Sequence, residues 1–355
     1  MTTERPRPFR RLVPANFRDP VGLARRILAS RDRAAYFAVA STALAAVAAP
    51  LDALLAATLE RRLLDGHVAP KKPVVIVTGA PRSGTTVLSQ ALIHHLPVTY
   101  FDNLTAVFPR APIAAHRLFG RFLPKPARTL HSYYGRTSGF ASENDGLHLW
   151  DRWLGADRYA VPERLDAETA AGLRRFVAAW EHAFGRALVN KNNALATGVP
   201  AIAEALPTSH FVYIRRDPVF TAQSILGARE AIQGTRAAPY GVNDPARHET
   251  PARPIEDICA QIVYHERRME EARRIVGDGR FWVVDYESFC AEPHAIVERV
   301  GREILGGDVD AAALRRRLPP LGNTNRPKLA DAEMDEITTT LARLRAAPAA
   351  RGTTA

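Results

Sequence analysis

The sequence predicts a three-layer α/β fold with a central parallel sheet, preceded by N-terminal helices. Three observations carry that expectation. Short apolar strands alternate with helix-length segments between residues 74 and 289. The first strand, Val74-Val75-Ile76-Val77-Thr78, runs into a glycine-bearing turn and then a helix start at Thr85. At 355 residues, the chain can bury a large core in one α/β domain with appendages.

Composition narrows the ligands. The 48 basic residues exceed the 37 acidic ones, giving a net charge of +11, and all but five of them are arginine. That balance suits an anionic ligand such as a bis-phosphorylated nucleotide, or an anionic membrane surface. No nucleic-acid partner is expected, because the chain carries no basic stripe interleaved with aromatics. Cys259 and Cys290 lie far apart and give neither a zinc spacing nor a disulfide framework. Both fit a reducing, cytoplasmic setting.

In chain order, residues 1–70 read as an N-terminal helical extension. The first 20 are Pro- and Arg-rich and read as irregular. Residues 21–33 read as a basic helix. Ala34 to Leu51 is a run of 18 residues without charge, near the length that spans a bilayer. It is mostly alanine and ends at Pro50 and Asp52. A soluble or interfacial helical hairpin is therefore expected rather than a span, with Leu51 to Leu64 as its second helix. Peripheral membrane contact is expected through residues 21–64.

The turn after the first strand decides the chemistry. Gly79 and Gly84 let the backbone curl inward, and the free N–H groups of a helix opening at Thr85-Thr86 point into the turn. That arrangement is an anion cradle. A nucleotide-triphosphatase loop reads Gly, four residues, Gly, Lys, then Ser or Thr. Here the glycines keep that separation and Thr86 takes the hydroxyl position, but Thr85 stands where the lysine would be. The cation is Arg82, inside the loop. The residues describe a cradle for one phosphate, with a basic group beside whatever is attached to it. A second apolar strand, His210 to Ile214, runs into Arg215-Arg216-Asp217-Pro218. Pro218 can begin a helix, and Ser224 follows Arg216 by eight residues.

Pro81-Arg82-Ser83-Gly84-Thr85-Thr86 after a hydrophobic strand resembles the 5′-phosphosulfate loop of sulfotransferases using 3′-phosphoadenosine-5′-phosphosulfate (PAPS). It is similar to the Arg-loop branch, which includes many bacterial, carbohydrate and tyrosylprotein enzymes. Arg216 with Ser224 resembles the family's 3′-phosphate site. The resemblance implies a P-loop nucleotide-triphosphatase-like fold for residues 71–335, a sulfotransferase domain. Residues 336–355 are then the end of a C-terminal helix and a disordered tail. It implies that Arg82, Ser83, Gly84, Thr85 and Thr86 hold the 5′-phosphate, with Arg82 also facing the bridging oxygen. Arg216 and Ser224 would hold the 3′-phosphate, and Tyr286 would lie near the adenosine. Gly322 to Lys328 resembles the loop that closes over the 3′-phosphate, with Arg326 and Lys328 supplying charge.

The catalytic base stays open at this level. Val98 to Phe101 reads as a strand, and in the Arg-loop branch a carboxylate shortly after it often serves as base. Asp102 is the nearest match. It equally suits an N-cap for a helix at Asn103–Val107. Glu143, Asp145 and His148 are alternatives as bases or acceptor ligands. Trp150 and Trp153 either stack on a sugar or sit in the core. Lys191, closing a strand over 187–191, resembles the family's lysine near the nucleotide or acceptor. His94 and His95 read as a helix C-terminal cap. Residues 109–138 read as an insertion near the acceptor pocket, and 230–254 as a mobile loop over the site. Helices are expected over 166–185, 198–206 and 255–276, and a strand over 281–289.

The expected activity is transfer of the sulfuryl group from PAPS, without a metal, to a hydroxyl or amine of an acceptor. The acceptor is a small molecule, a glycan or a lipid. Two other classes stay in view. A P-loop kinase or nucleotide triphosphatase requires that Thr85 replace the lysine harmlessly. A membrane-peripheral binding protein would use the same fold without catalysis.

Overall fold

The computed structural model describes residues 20–124, 130, 132–155, 162–244 and 253–347. At its centre stands a four-stranded sheet in the order β2-β1-β3-β4. The strands are β1 (Val74–Thr78), β2 (Leu188–Lys191), β3 (Ser209–Arg215) and β4 (Phe281–Asp285), all parallel. Successive side chains leave opposite faces of a strand. Val74, Ile76, Leu188, Phe211, Tyr213 and Phe281 therefore enter one core, while Val75, Val77, Val189, Val212, Ile214 and Trp282 enter the other. Near-continuous apolar strands follow from cover on both faces.

The helices supply that cover. They run α1 (Pro20–Ser30), α2 (Arg33–Leu55), α3 (Arg61–Leu64), α4 (Thr85–His95), α5 (Asn103–Val107), α6 (Pro112–Phe119), α7 (Leu147–Leu154) and α8 (Ala167–Phe184). They continue with α9 (Val199–Ala205), α10 (Pro218–Ala228), α11 (Pro254–Val276), α12 (Tyr286–Ala291), α13 (Pro293–Arg299), α14 (Ala311–Arg317) and α15 (Asp331–Ala346). Residues of α7, α8 and α9 fill one face of the sheet, and residues of α4, α12, α13 and α14 fill the other. The three layers expected from the alternation of elements are present. A further cluster joins α10, α11 and α15.

Three elements differ from expectation. Val98 to Phe101 meets β2 at one position only, through Thr99 N to Ala187 O (2.8 Å) and Val189 N to Thr99 O (2.8 Å). It lies along the sheet edge without becoming a full strand. The last strand stops at Asp285, and Tyr286 opens α12. The hairpin turn expected near Pro50 is absent. Helix runs without interruption from Arg33 to Leu64, with a π-helical turn at Ala56–Glu60 and Pro50 in its interior. A proline in mid-helix removes one backbone bond. Packing on α5 and α6 holds the rod together, through a cluster that includes Leu55, Leu104, Val107, Phe108 and Ala111.

That packing fixes two acids. Asp52 and Glu60 are buried, and each accepts from amides at the start of α6: Asp52 from Arg110 N and Ala111 N, Glu60 from Ile113 N and Ala114 N. The first amides of a helix have no intrahelical acceptor, so these carboxylates cap α6 from a distant segment. Among the expected pieces, the irregular first residues up to 19, positions 245–252 of the loop at 230–254, and the tail beyond 347 lie outside the described residues.

Candidate nucleotide and acceptor site

The site grows from the carboxyl ends of β1 and β3, which are adjacent in the sheet. After β1 the chain turns through Gly79 to Gly84 into α4. A Cβ on Gly79 would lie 2.5 Å from Ser83 Oγ and 2.7 Å from Ile214 O. Gly84 has φ +104°, and a Cβ there would lie 2.6 Å from the Tyr286 ring. Gly79 is required by contact, and Gly84 by contact and conformation together. Arg82 sits at φ +68°, a left-handed conformation that costs a non-glycine residue about 1–2 kcal/mol. That conformation accompanies three contacts. The Arg82 carbonyl accepts from Arg216 Nη1 at 3.1 Å, its Nε donates to Ser224 Oγ at 3.2 Å, and its guanidinium lies 5.1 Å from the Tyr134 ring centre. Ser83 is buried, and its Oγ has no hydrogen-bond partner among the described residues. With no acidic residue in the first turn of α4, the turn presents amides, a spare hydroxyl and a helix dipole to one anion. The residues fit a phosphate.

The second grip forms at the end of β3. Arg216 Nε donates to Asn325 Oδ1 (2.7 Å), Nη2 donates to Thr324 Oγ1 (3.2 Å), and the guanidinium lies 4.8 Å from the Tyr286 ring centre. Burial lowers its pKa from the ordinary arginine value, and the Arg82 charge acts in the same direction. The Tyr286 hydroxyl lies 3.1 Å from Thr324 Oγ1, and Asn325 Nδ2 donates to Glu287 Oε1 at 2.6 Å. Ser224, expected beside Arg216, is hydrogen-bonded to Arg82 instead. Arg326 and Lys328 hold their side chains in solvent. Their backbones do the work: Gln223 Nε2 donates to Arg326 O (2.9 Å), and Lys328 N donates to Gln223 Oε1 (2.6 Å). Gln223 and Glu287 carry no role in the sequence reading, and Thr324 and Asn325 enter it only as part of the loop from Gly322 to Lys328. The described part of the 230–254 segment is pinned over the turn, with Gly241 packed on Pro81 and Gln261 donating to the carbonyls of Tyr240 and Val242.

A small open pocket begins at Thr86 and is lined by Tyr100, Gly135, Glu143, Asn190 and Lys191 among others. Lys191 pairs with Asp145 at 2.6 Å and donates to Thr86 Oγ1 at 3.3 Å. An ammonium thus faces the hydroxyl that a magnesium-binding loop would offer to its metal. Glu143 Oε1 accepts from Gln90 Nε2 at 2.7 Å. Burial raises the Glu143 pKa above the ordinary carboxylate value, with Lys191 opposing and Asp145 adding to the rise.

The other expected residues go elsewhere. Asp102 caps α5: its Oδ1 accepts from Thr105 N (2.9 Å) and Thr105 Oγ1 (3.0 Å), and lies 3.1 Å from His116 Nε2. Its carboxylate is engaged in the cap, and it is not among the cavity-lining residues. His148 is 43% exposed and pairs with Asp151, one turn along α7, rather than facing Lys191. Trp150 and Trp153 are core residues, and Trp150 Nε1 donates to Asn190 Oδ1 at 2.8 Å. His94 and His95 stand in the last turn of α4.

A parallel sheet with an anion-binding turn after one strand and a half-buried arginine after its neighbour defines an α/β protein that binds a phosphorylated nucleotide. Residues 73–305, about two thirds of the chain, match the sulfotransferase family, and the chain belongs to it. It is a PAPS-dependent sulfotransferase. Its fold is similar to two solved structures. Sulfotransferase STF9 from Mycobacterium avium aligns with a TM-score of 0.57 at 16% identity, over 91% of this chain and 85% of that one. Sulfotransferase STF1 from Mycobacterium tuberculosis H37Rv aligns with a TM-score of 0.53 at 18% identity, over 92% of each chain. No curated protein gives a significant sequence match.

Proposed function

We propose that the turn at Arg82–Thr86 holds the 5′-phosphate of PAPS, that Arg216 holds its 3′-phosphate, and that Glu143 is the base. The observation that carries this reading is the shared contact between the two turns. The hydrogen bond from Arg216 Nη1 to Arg82 O sets two cationic grips side by side at the carboxyl ends of the two central strands. A nucleotide with phosphates on both ribose hydroxyls spans such a pair, and bidentate arginine contacts suit each phosphate. The sulfuryl group then points toward Thr86 and Lys191 at the mouth of the cavity.

Transfer proceeds in line. The acceptor oxygen gives its proton to Glu143 as the new O–S bond forms, and the S–O bond to the 5′-phosphate breaks. The bisphosphate leaves with the bond's electron pair. Lys191 and Arg82 stabilise the charge that develops on the bridging oxygen. The raised Glu143 pKa makes its carboxylate a stronger base than an exposed one. The acceptor is a hydroxyl compound, carbohydrate or lipid, and the setting is cytoplasmic.

Calorimetry with 3′,5′-adenosine bisphosphate, without metal, tests the nucleotide against ATP with magnesium. Bisphosphate binding that weakens in Arg216→Ala is the expected result. Binding of ATP-magnesium alone would overturn the reading in favour of a kinase. The ammonium against Thr86 argues for the first outcome, because a divalent cation at that hydroxyl would sit beside Lys191.

A further inference from the structure

The rod formed by α2 and α3 is built inside out. A helix on the surface of a soluble protein turns its apolar stripe inward and its charges outward. Here the two acids between Ala34 and Glu60, Asp52 and Glu60, are turned inward and buried. The outward face carries Tyr36 (40% exposed), Val39 (48%), Leu44 (42%), Val47 (78%), Leu51 (41%) and Leu54 (59%) at helical spacing. Exposed alanines fill the positions between them. From Tyr36 to Thr58 this face is about 33 Å long at about 1.5 Å per residue.

Charge frames the stripe. Exposed arginines stand at both ends: Arg25, Arg31 and Arg33 before it, Arg61 and Arg62 after it. Asp32, the acid at the leading end, has its carboxylate turned to cap the helix through Ala34 N at 2.7 Å. The rod is not a free span. Its inward carboxylates hold the amides of α6, and crossing a bilayer would strip both from their partners. An apolar face between cationic ends matches a surface that is apolar below and anionic above.

We propose that this outward face lies in the headgroup layer of an anionic lipid bilayer, with α2 parallel to the surface. Docking so places the cleft at the membrane. Phe37 of α2 meets Phe140 edge-on at 5.0 Å, three residues before Glu143, and Arg26 of α1 donates to Ile232 O at 3.0 Å. The rod and the helix before it are therefore tied to the segments at Phe140 and Ile232.

Vesicle flotation tests the proposal on the full chain. The probes are vesicles of phosphatidylcholine alone, and of phosphatidylcholine with an equal part of phosphatidylglycerol. The expected result is flotation with the anionic vesicles only, weakened by salt. Val47→Glu and Leu54→Glu each lower the bound fraction about tenfold or more, and the pair Arg61→Gln with Arg62→Gln lowers it about tenfold. All three keep the wild-type melting temperature and bisphosphate binding. Wild-type protein left in the soluble fraction with both vesicles would overturn the proposal. So would Val47→Glu floating as well as wild type. A dimer that Val47→Glu dissociates, with no flotation, would assign the face to a second copy of the chain and also overturn it. Loss of bisphosphate binding in the wild type would count against the assigned function and leave the docking result standing.

Discussion

Gly84→Ala is the sharpest probe of how the two phosphate grips are built. The added Cβ would fall 2.6 Å from Tyr286 Cδ2, about 1 Å inside the usual carbon–carbon separation of about 3.5–4.0 Å. At φ +104° an alanine also carries backbone strain of about 1–3 kcal/mol. Pushing a buried ring aside costs a further 1–3 kcal/mol or so. Stability should fall by about 2–6 kcal/mol, seen as a lower urea midpoint. Affinity falls for a separate reason. Tyr286 supports Arg216 through its ring face and Thr324 through its hydroxyl. Such contacts are worth about 0.5–2 and about 1 kcal/mol, so bisphosphate binding should weaken roughly tenfold to a hundredfold. Titration calorimetry reads the affinity directly. Wild-type affinity in a Gly84→Ala protein that melts normally would refute the idea that Tyr286, wedged on Gly84, sets the position of Arg216.

Three further outcomes follow from the geometry. Glu143→Gln should lower kcat by about 10²–10⁴ while leaving bisphosphate affinity unchanged. Because the ionised base is the active form and its pKa is raised, the wild-type rate should fall on the acid side at a pH above the ordinary carboxylate range. Asp102→Ala should cost about 1–2 kcal/mol of stability as a lost cap, with a much smaller effect on kcat than Glu143→Gln. A dead enzyme of normal stability would instead restore Asp102 as the base. Glu60 has its pKa raised from 4.5 to about 7, chiefly by burial. As pH rises the unfolded chain loses this proton first, so stability should fall between about 4.5 and about 7 and level off above. Urea melts of Glu60→Gln across that range should lose the slope.

Sequence reasoning reached the sheet and the two phosphate turns because each is local. Four β-branched residues at Val74–Val77 have few ways to be buried, and glycines at fixed separation constrain one turn. Arg216 was legible from the residues beside it. The loop that meets Arg216 was legible only through the resemblance, and it is Thr324 and Asn325, more than a hundred residues away, that bond the guanidinium rather than the charged Arg326 and Lys328. Asp102 was ambiguous for a physical reason. A carboxylate that begins a helix and one that removes a proton occupy the same place in sequence, and only the direction of the side chain separates them. Here its Oδ1 is turned to Thr105 and His116, in the cap. The rod past Pro50 was unreadable for another reason. What offsets the missing hydrogen bond is packing on α5 and α6, which hydropathy along one segment cannot show.

The backbone of Arg82 has a thermodynamic consequence. Its left-handed turn aims a carbonyl at the arginine that serves the other phosphate. The two proposed subsites are therefore joined by one hydrogen bond, and ordering one helps to order the other. Occupancy of both behaves as a single linked equilibrium rather than two independent ones. Adenosine 5′-monophosphate and adenosine 3′-monophosphate should each bind far more weakly than half of the bisphosphate's free energy would give. A spent bisphosphate would then leave in one step, both phosphates together.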